Sequence, residues 1–184
     1  MRIIDEGLIQ GVRYVASPNC DARPADACIE LIVVHGISLP PGEFGGPGIV
    51  DLFLNRLQPS AHPYYSAIAQ LRVSAHFLIR RDGELLQFVP CERRAWHAGV
   101  SSWRGRQRCN DFSIGIELEG ADDLPYEAAQ YTRLRALNAV LGAHYPIVDV
   151  VGHADVAPGR KTDPGPTFDW SRIKKINKNK YLRD

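Results

Sequence analysis

Glu30-Leu31-Ile32-Val33-Val34-His35 is the stretch on which the reading of the chain turns. It is short, apolar and β-branched, the pattern of a buried strand, and it ends on a histidine. Val148-Asp149-Val150-Val151-Gly152-His153 repeats the pattern and the terminal histidine. Between them, residues 112–119 alternate: Phe112, Ile114, Ile116 and Leu118 fall on one face, and Ser113, Gly115, Glu117 and Glu119 on the other. Residues 73–79 and 84–89 flank Asp82-Gly83, a strong turn dipeptide, and read as a hairpin. Helical spacing appears twice. Ile49, Leu52, Phe53 and Leu57 predict a short helix; Leu134, Leu137, Leu141 and His144 predict an amphipathic one over 126–144, stopped by Pro146. A closing helix is expected over 169–176. Strands interleaved with helices, plus a hairpin, predict an α/β (α+β) fold with a mixed central β-sheet flanked by helices.

The 184 residues suit a single domain spanning 1–184, large enough to build a core without staples. A composition of 45% hydrophobic and 23% charged residues argues against disorder, and a net charge of +1 gives no reason to expect nucleic acid as a partner. Charge is nonetheless uneven. From Arg172 onward six bases face one acid, so this end carries +5 and the rest −4; a basic tail at about 174–184 is expected to fray. No run approaches the ~18 apolar residues of a membrane span. The acids of Met1-Arg2-Ile3-Ile4-Asp5-Glu6 do not suit a signal peptide, so a cytoplasmic protein without membrane contact is expected. Cys20, Cys28, Cys91 and Cys109 lack metal or redox spacing and are read as free thiols.

Residues 40–48 hold seven prolines and glycines in nine positions, which excludes regular structure and suits either a lid or a rigid loop. The chemistry gathers elsewhere. His35 and His153 end two strands, and Asp163 lies ten residues after His153 in a loop stiffened by Pro158, Pro164 and Pro166. Two imidazoles and a carboxylate suffice for catalytic zinc with one position open; hydrogen-bonded structural histidines are the competing reading. Glu117, on the polar face of its strand, is placed to deprotonate a water, and Glu119 points the same way. Lys161 offers a fixed positive charge for an oxyanion. His62 reads as a loop or capping residue, His76 as buried and bonded, and His144 as a helix-end residue; His97 is open between pocket and structure. No serine-nucleophile motif is present.

The run Gly152-His153-Ala154-Asp155-Val156-Ala157-Pro158-Gly159-Arg160-Lys161-Thr162-Asp163-Pro164-Gly165-Pro166 resembles the zinc signature of the N-acetylmuramoyl-L-alanine amidases. The likeness is strongest to the branch acting on 1,6-anhydro-muropeptides. Residues 38–47, 71–76, 94–102 and 108–120 carry it further, so that it spans about 3–173. The resemblance implies the fold of peptidoglycan recognition proteins, zinc as cofactor on His35, His153 and Asp163, and Glu117, not Glu119, as the group that activates water. It implies Lys161 as stabiliser of the tetrahedral intermediate, and Arg72, Ala95, Trp96 and Arg108 as contacts to the substrate. The implied partner is a small-molecule muropeptide, met by a monomer. The implied reaction is hydrolysis of the amide between 1,6-anhydro-N-acetylmuramic acid and L-alanine in cytoplasmic peptidoglycan recycling. Gly36 departs from the asparagine expected after His35. Two other readings remain open: an amidase of intact wall peptidoglycan, and a silent muropeptide-binding module.

Overall fold

The computed structural model describes residues 1–173. The tail at 174–184, and with it the last residues of the closing helix expected over 169–176, lies outside the described residues. Six strands form the main sheet: β1 (Arg13–Tyr14), β2 (Leu31–Ile37), β3 (Phe77–Ile79), β4 (Leu85–Gln87), β5 (Ser113–Glu119) and β6 (Asp149–Gly152). Their order is β6-β2-β5-β3-β4-β1. The first four in that order run parallel; β4 pairs antiparallel with β3, and β1 runs parallel to β4. The mixed sheet expected from the sequence is the one observed.

The alternation of β2 and β5 decides which side is core. Ile32, Val34, Ile114, Ile116 and Leu118 pack beneath the helix Ala128–His144, whose Leu134, Leu137 and Leu141 are fully covered. Each such side chain contributes about 1.5–3 kcal/mol of apolar burial. Gln130 Oε1 accepts from Glu127 N at 3.0 Å and closes the first turn of the helix. The opposite face carries Leu31 and Val33, packed with Ala98, Cys109, Phe112, Val151 and Val156. It is also the face of His35 and Glu117.

Several boundaries differ from the sequence reading, each for a local reason. Strand β2 continues two residues past His35, because Gly36 and Ile37 still pair with Leu118 and Glu119. Strand β6 stops at Gly152, and His153 opens a one-turn helix, His153–Val156. The arms of the hairpin are short because Ser74 N is taken by Trp96 O and His76 N by Gly115 O. Its turn is as expected: Gly83 has φ +87°, and Asp82 Oδ1 accepts from Glu84 N at 2.8 Å. The short helix is Gly48–Phe53, and Leu57 is buried beyond its end. In the closing segment a single turn at Trp170–Arg172 is capped by Asp169. All four cysteines are free. Among the described residues no helix is long and apolar enough to cross a membrane.

The Pro/Gly-rich segment is tied down. Gly45 N donates to Glu119 Oε1 at 2.8 Å, and the Arg80 guanidinium donates to both Gly46 O and that same carboxylate oxygen. These bonds fit the rigid-loop reading of 40–48.

Candidate metal centre and active site

Register builds the site. In the parallel pairing of β5 with β2, Glu117 lies directly opposite His35; in that of β6 with β2, Gly152 lies opposite Val34. The next step along brings His153 beside His35. Three adjacent parallel strands thus deliver His153, His35 and Glu117 to one level near their C-terminal ends, the usual ligand position in such sheets.

Asp163 reaches this level from the loop after His153–Val156. Its Oδ2 lies 3.2 Å from His35 Nδ1 and 3.1 Å from His153 Nδ1, and the two Nδ1 atoms are 2.9 Å apart. Tetrahedral zinc with bonds of about 2.0–2.1 Å has ligand–ligand edges of roughly 3.3 Å, so this triangle needs little expansion to accept the ion. The outer nitrogens are also committed: His153 Nε2 faces Ala98 O at 3.1 Å and His35 Nε2 faces His97 Nδ1 at 2.9 Å. Each Nδ1 is thereby left free to act as a ligand. These three residues form a His/His/Asp group able to hold a metal. Burial pushes His35 down to about 4, against the pull of Asp163. Burial works to raise the Asp163 carboxyl, but hydrogen bonds to His153 and His35 hold it well below the usual carboxylate range.

Glu117 is 8% exposed, and its Oε2 has no hydrogen-bond partner among the described residues. Burial, and then the nearby Asp163 charge, raise its carboxyl well above the ordinary value, with Lys161 acting in the opposite sense. Glu119, the other carboxylate on this face, is occupied: it holds Arg80, Gly45 N and Arg81 N. The two glutamates thus differ in their partners, Glu119 being held by three donors. Lys161 is exposed, and its charge acts on both Glu117 and His35.

The residues expected at the substrate differ in exposure and surroundings. Arg108 is exposed, with φ +62° and an ion pair to Asp111 at 3.2 Å. It lines a groove of about 610 Å³ together with Gly99, Val100, Ser101, Pro158 and Arg160. Arg160 donates to Ala98 O, the carbonyl that also meets His153, which joins the groove to the His/His/Asp cluster. Trp96 is half-buried, and Arg72 is exposed, its guanidinium near the Ala69 and Leu71 carbonyls. Ala95 is not brought to the surface: it is fully buried, paired with Cys20. At Gly36, the space a side chain would enter is held by the Tyr126 hydroxyl, which donates to Pro164 O at 2.9 Å.

Of the other histidines, His62 caps the helix Pro63–Ile68 through Nδ1, and His76 is buried, accepting from Gly115 N. His144 ends the long helix, exposed. His97, open in the sequence, is buried with Nδ1 against His35 Nε2. Arg23 had no signal in the sequence, sitting in a Pro/Asp/Ala-rich lead-in; it is largely buried and donates to the carbonyls of Cys91, Asn110, Asp111 and Ser113.

Two imidazoles and a carboxylate thus converge on one point beside a buried glutamate, a donor set able to hold a divalent metal. The chain belongs to the N-acetylmuramoyl-L-alanine amidase family, whose model matches residues 25–166. It is 58% identical over 176 residues to the 1,6-anhydro-N-acetylmuramyl-L-alanine amidase AmpD of Citrobacter freundii, covering 95% of this chain and 94% of that one. The enzyme of the same name from Escherichia coli K12 is 58% identical over 174 residues, or 94% and 95% of the two chains. The crystal structure of a Se-Met AmpD derivative superposes with a TM-score of 0.89 at 59% identity, over 93% of this chain and 97% of that one. The complex of Escherichia coli AmiD with anhydro-N-acetylmuramic acid-L-Ala-D-γ-Glu-L-Lys superposes at 0.59 with 33% identity, over 82% and 58%. The shared fold is the mixed sheet with flanking helices described above.

Proposed function

We propose that this amidase is zinc-dependent and cleaves the amide joining the lactyl group of 1,6-anhydro-N-acetylmuramic acid to L-alanine in muropeptides, as a single-domain monomer serving cytoplasmic peptidoglycan recycling. The substrate class follows from the likeness to relatives named for that activity. The chemistry rests on one observation above all: Glu117 Oε2, buried and unpartnered, at the same strand level as His35.

His35, His153 and Asp163 would hold the metal. Zinc there supplies Lewis acidity, polarising the scissile carbonyl and lowering the pKa of water toward neutrality. Glu117 takes the water proton as attack occurs and passes it to the leaving alanine nitrogen. Burial, which raises its affinity for protons, suits it to carry the proton between the two steps. The Lys161 ammonium faces the developing oxyanion. Arg108 and Arg72 bind peptide carboxylates, as the guanidinium fork favours, and Trp96 offers an apolar wall to the sugar. Ala95 acts from beneath, fixing the backbone that carries Trp96.

The test is a paired digestion of anhydro-muramoyl tripeptide and the same peptide on ordinary muramic acid, after chelation and after zinc is restored. Zinc-dependent release of tripeptide from the anhydro substrate alone is expected. Equal cleavage of both would place the protein among general wall amidases, and no cleavage of either would leave a binding module.

A further inference from the structure

The geometry points to His97 as a positioning residue that acts on the metal centre through His35, as the middle link of a buried chain from His35 through His97 to Ser113. This inference rests on the proposed zinc centre and concerns the orientation of one of its ligands.

The chain is continuous and its direction is fixed. His35 Nε2 meets His97 Nδ1 at 2.9 Å, and His97 Nε2 meets Ser113 Oγ at 3.1 Å. For His35 Nδ1 to present a lone pair beside Asp163 and His153, the His35 proton must sit on Nε2. That N–H donates to His97 Nδ1, so His97 carries its own proton on Nε2 and donates it to the Ser113 hydroxyl. Only this tautomer of His97 serves as acceptor to His35; the Ser113 hydroxyl accepts the outer His97 proton and holds the ring in that orientation.

The surroundings hold the ring in place. His35, His97 and Ser113 are all buried. The His97 ring lies edge-on to His35, centroids 5.0 Å apart, and to His76 at 5.8 Å. Gly115 is the imprint of that packing: a Cβ there would run into the His97 ring. The backbone is pinned as well, since Asn110 Oδ1 accepts from both His97 N and Ala98 N. Ala98 O is in turn the partner of His153 Nε2. One segment, His97-Ala98, therefore orients both imidazole ligands: His35 through a side chain and His153 through a carbonyl. Outer partners of this kind typically change metal affinity about 10–100-fold when removed.

The experiment measures zinc affinity by competition with a chromophoric chelator, with far-UV circular dichroism as the check on folding. The proteins are wild type, His35→Ala, His97→Leu, His97→Asn and Ser113→Ala. In His97→Leu the acceptor is gone, and zinc binding is expected to weaken about 10–100-fold. In His97→Asn the amide oxygen stands where Nδ1 stood, and affinity is expected to recover to within a few-fold of wild type. Ser113→Ala removes the acceptor of the outer His97 proton, and is expected to fall between the two, since the His97 ring keeps its packing but loses one of its two hydrogen bonds. It carries the test if His97→Leu does not fold. Equal zinc affinity in wild type, His97→Leu and Ser113→Ala would overturn the inference while leaving the zinc centre standing. Wild-type binding that His35→Ala leaves unchanged would instead remove the centre, and the inference with it.

Discussion

At the scale of single residues, Glu117 and Glu119 make an instructive pair. They lie on the same strand face, and both are buried. What separates them is partnership. Glu119 is neutralised by Arg80 at 2.8 Å, whereas Glu117 keeps an unpartnered oxygen and an elevated proton affinity. Replacing Glu117 by Gln keeps the volume and removes the base. The expected result is a loss of about 10²–10⁴ in kcat, with zinc stoichiometry and KM little changed, measured by steady-state release of peptide and by metal analysis of the purified variant. A variant retaining more than a tenth of wild-type kcat would reject the assignment. The candidate ligands His35, His153 and Asp163 were legible in the sequence, because a histidine ending an apolar strand and an aspartate in a proline-stiffened loop are both local signals. The choice between the glutamates was not legible from spacing. It depends on Arg80, 39 residues away in sequence, and alternation cannot report which of two equivalent positions has found a cation.

Elements explain why such long-range pairs matter. The hairpin, strand β5 and segment 40–48 meet at the Glu119 carboxylate, which takes Arg80, Gly45 N and Arg81 N together. The Asp82-Gly83 turn, the long helix and the alternation of β5 could all be read directly, since each is set by neighbours within a few residues. The ends of β2 and the hairpin arms could not. They are set by what lies across the sheet: Leu118 and Glu119 extend β2, while Trp96 O and Gly115 O draw Ser74 and His76 away from the hairpin. Composition likewise left 40–48 open between lid and rigid loop, because the bonds that fix it come from β5 and the hairpin. Breaking that junction from one side leaves a nearly buried charge unpaired. Glu119→Leu is expected to cost about 3–5 kcal/mol, and the double replacement Glu119→Leu/Arg80→Leu clearly less than the sum of Glu119→Leu and Arg80→Leu. Urea unfolding of the four proteins checks this; additive costs would mean that the pair does not act as a unit.

Over the whole molecule, the parallel strands, the buried arginine and the histidines combine into an acid-sensitive interior. His76 sits between the Arg23 guanidinium, the Arg93 carbonyl, Gly115 N and the His97 ring. Burial first, and then the Arg23 charge, push it down to about 3 from the ordinary 6.5. In the folded protein His76 is neutral across this interval, whereas the unfolded chain takes up a proton below pH 6.5. The unfolded state thus binds more protons, and stability rises with pH. The contribution is complete above about pH 6.5 and is lost as pH falls toward 3, by at most about 1.4 kcal/mol per pH unit for one group. His97 is lowered by burial in the same sense, while Glu117, with its raised value, contributes the opposite slope above the ordinary glutamate range. In metal-free protein, urea unfolding between pH 6.5 and 4.5 should therefore show stability falling with acid. His76→Asn keeps an acceptor for Gly115 N and removes the titrating ring, so it should be less stable at pH 6.5 yet fall off more gently. Parallel pH profiles for the two proteins would show that His76 titrates alike folded and unfolded, and that the buried row of histidines does not set the acid limit of the fold.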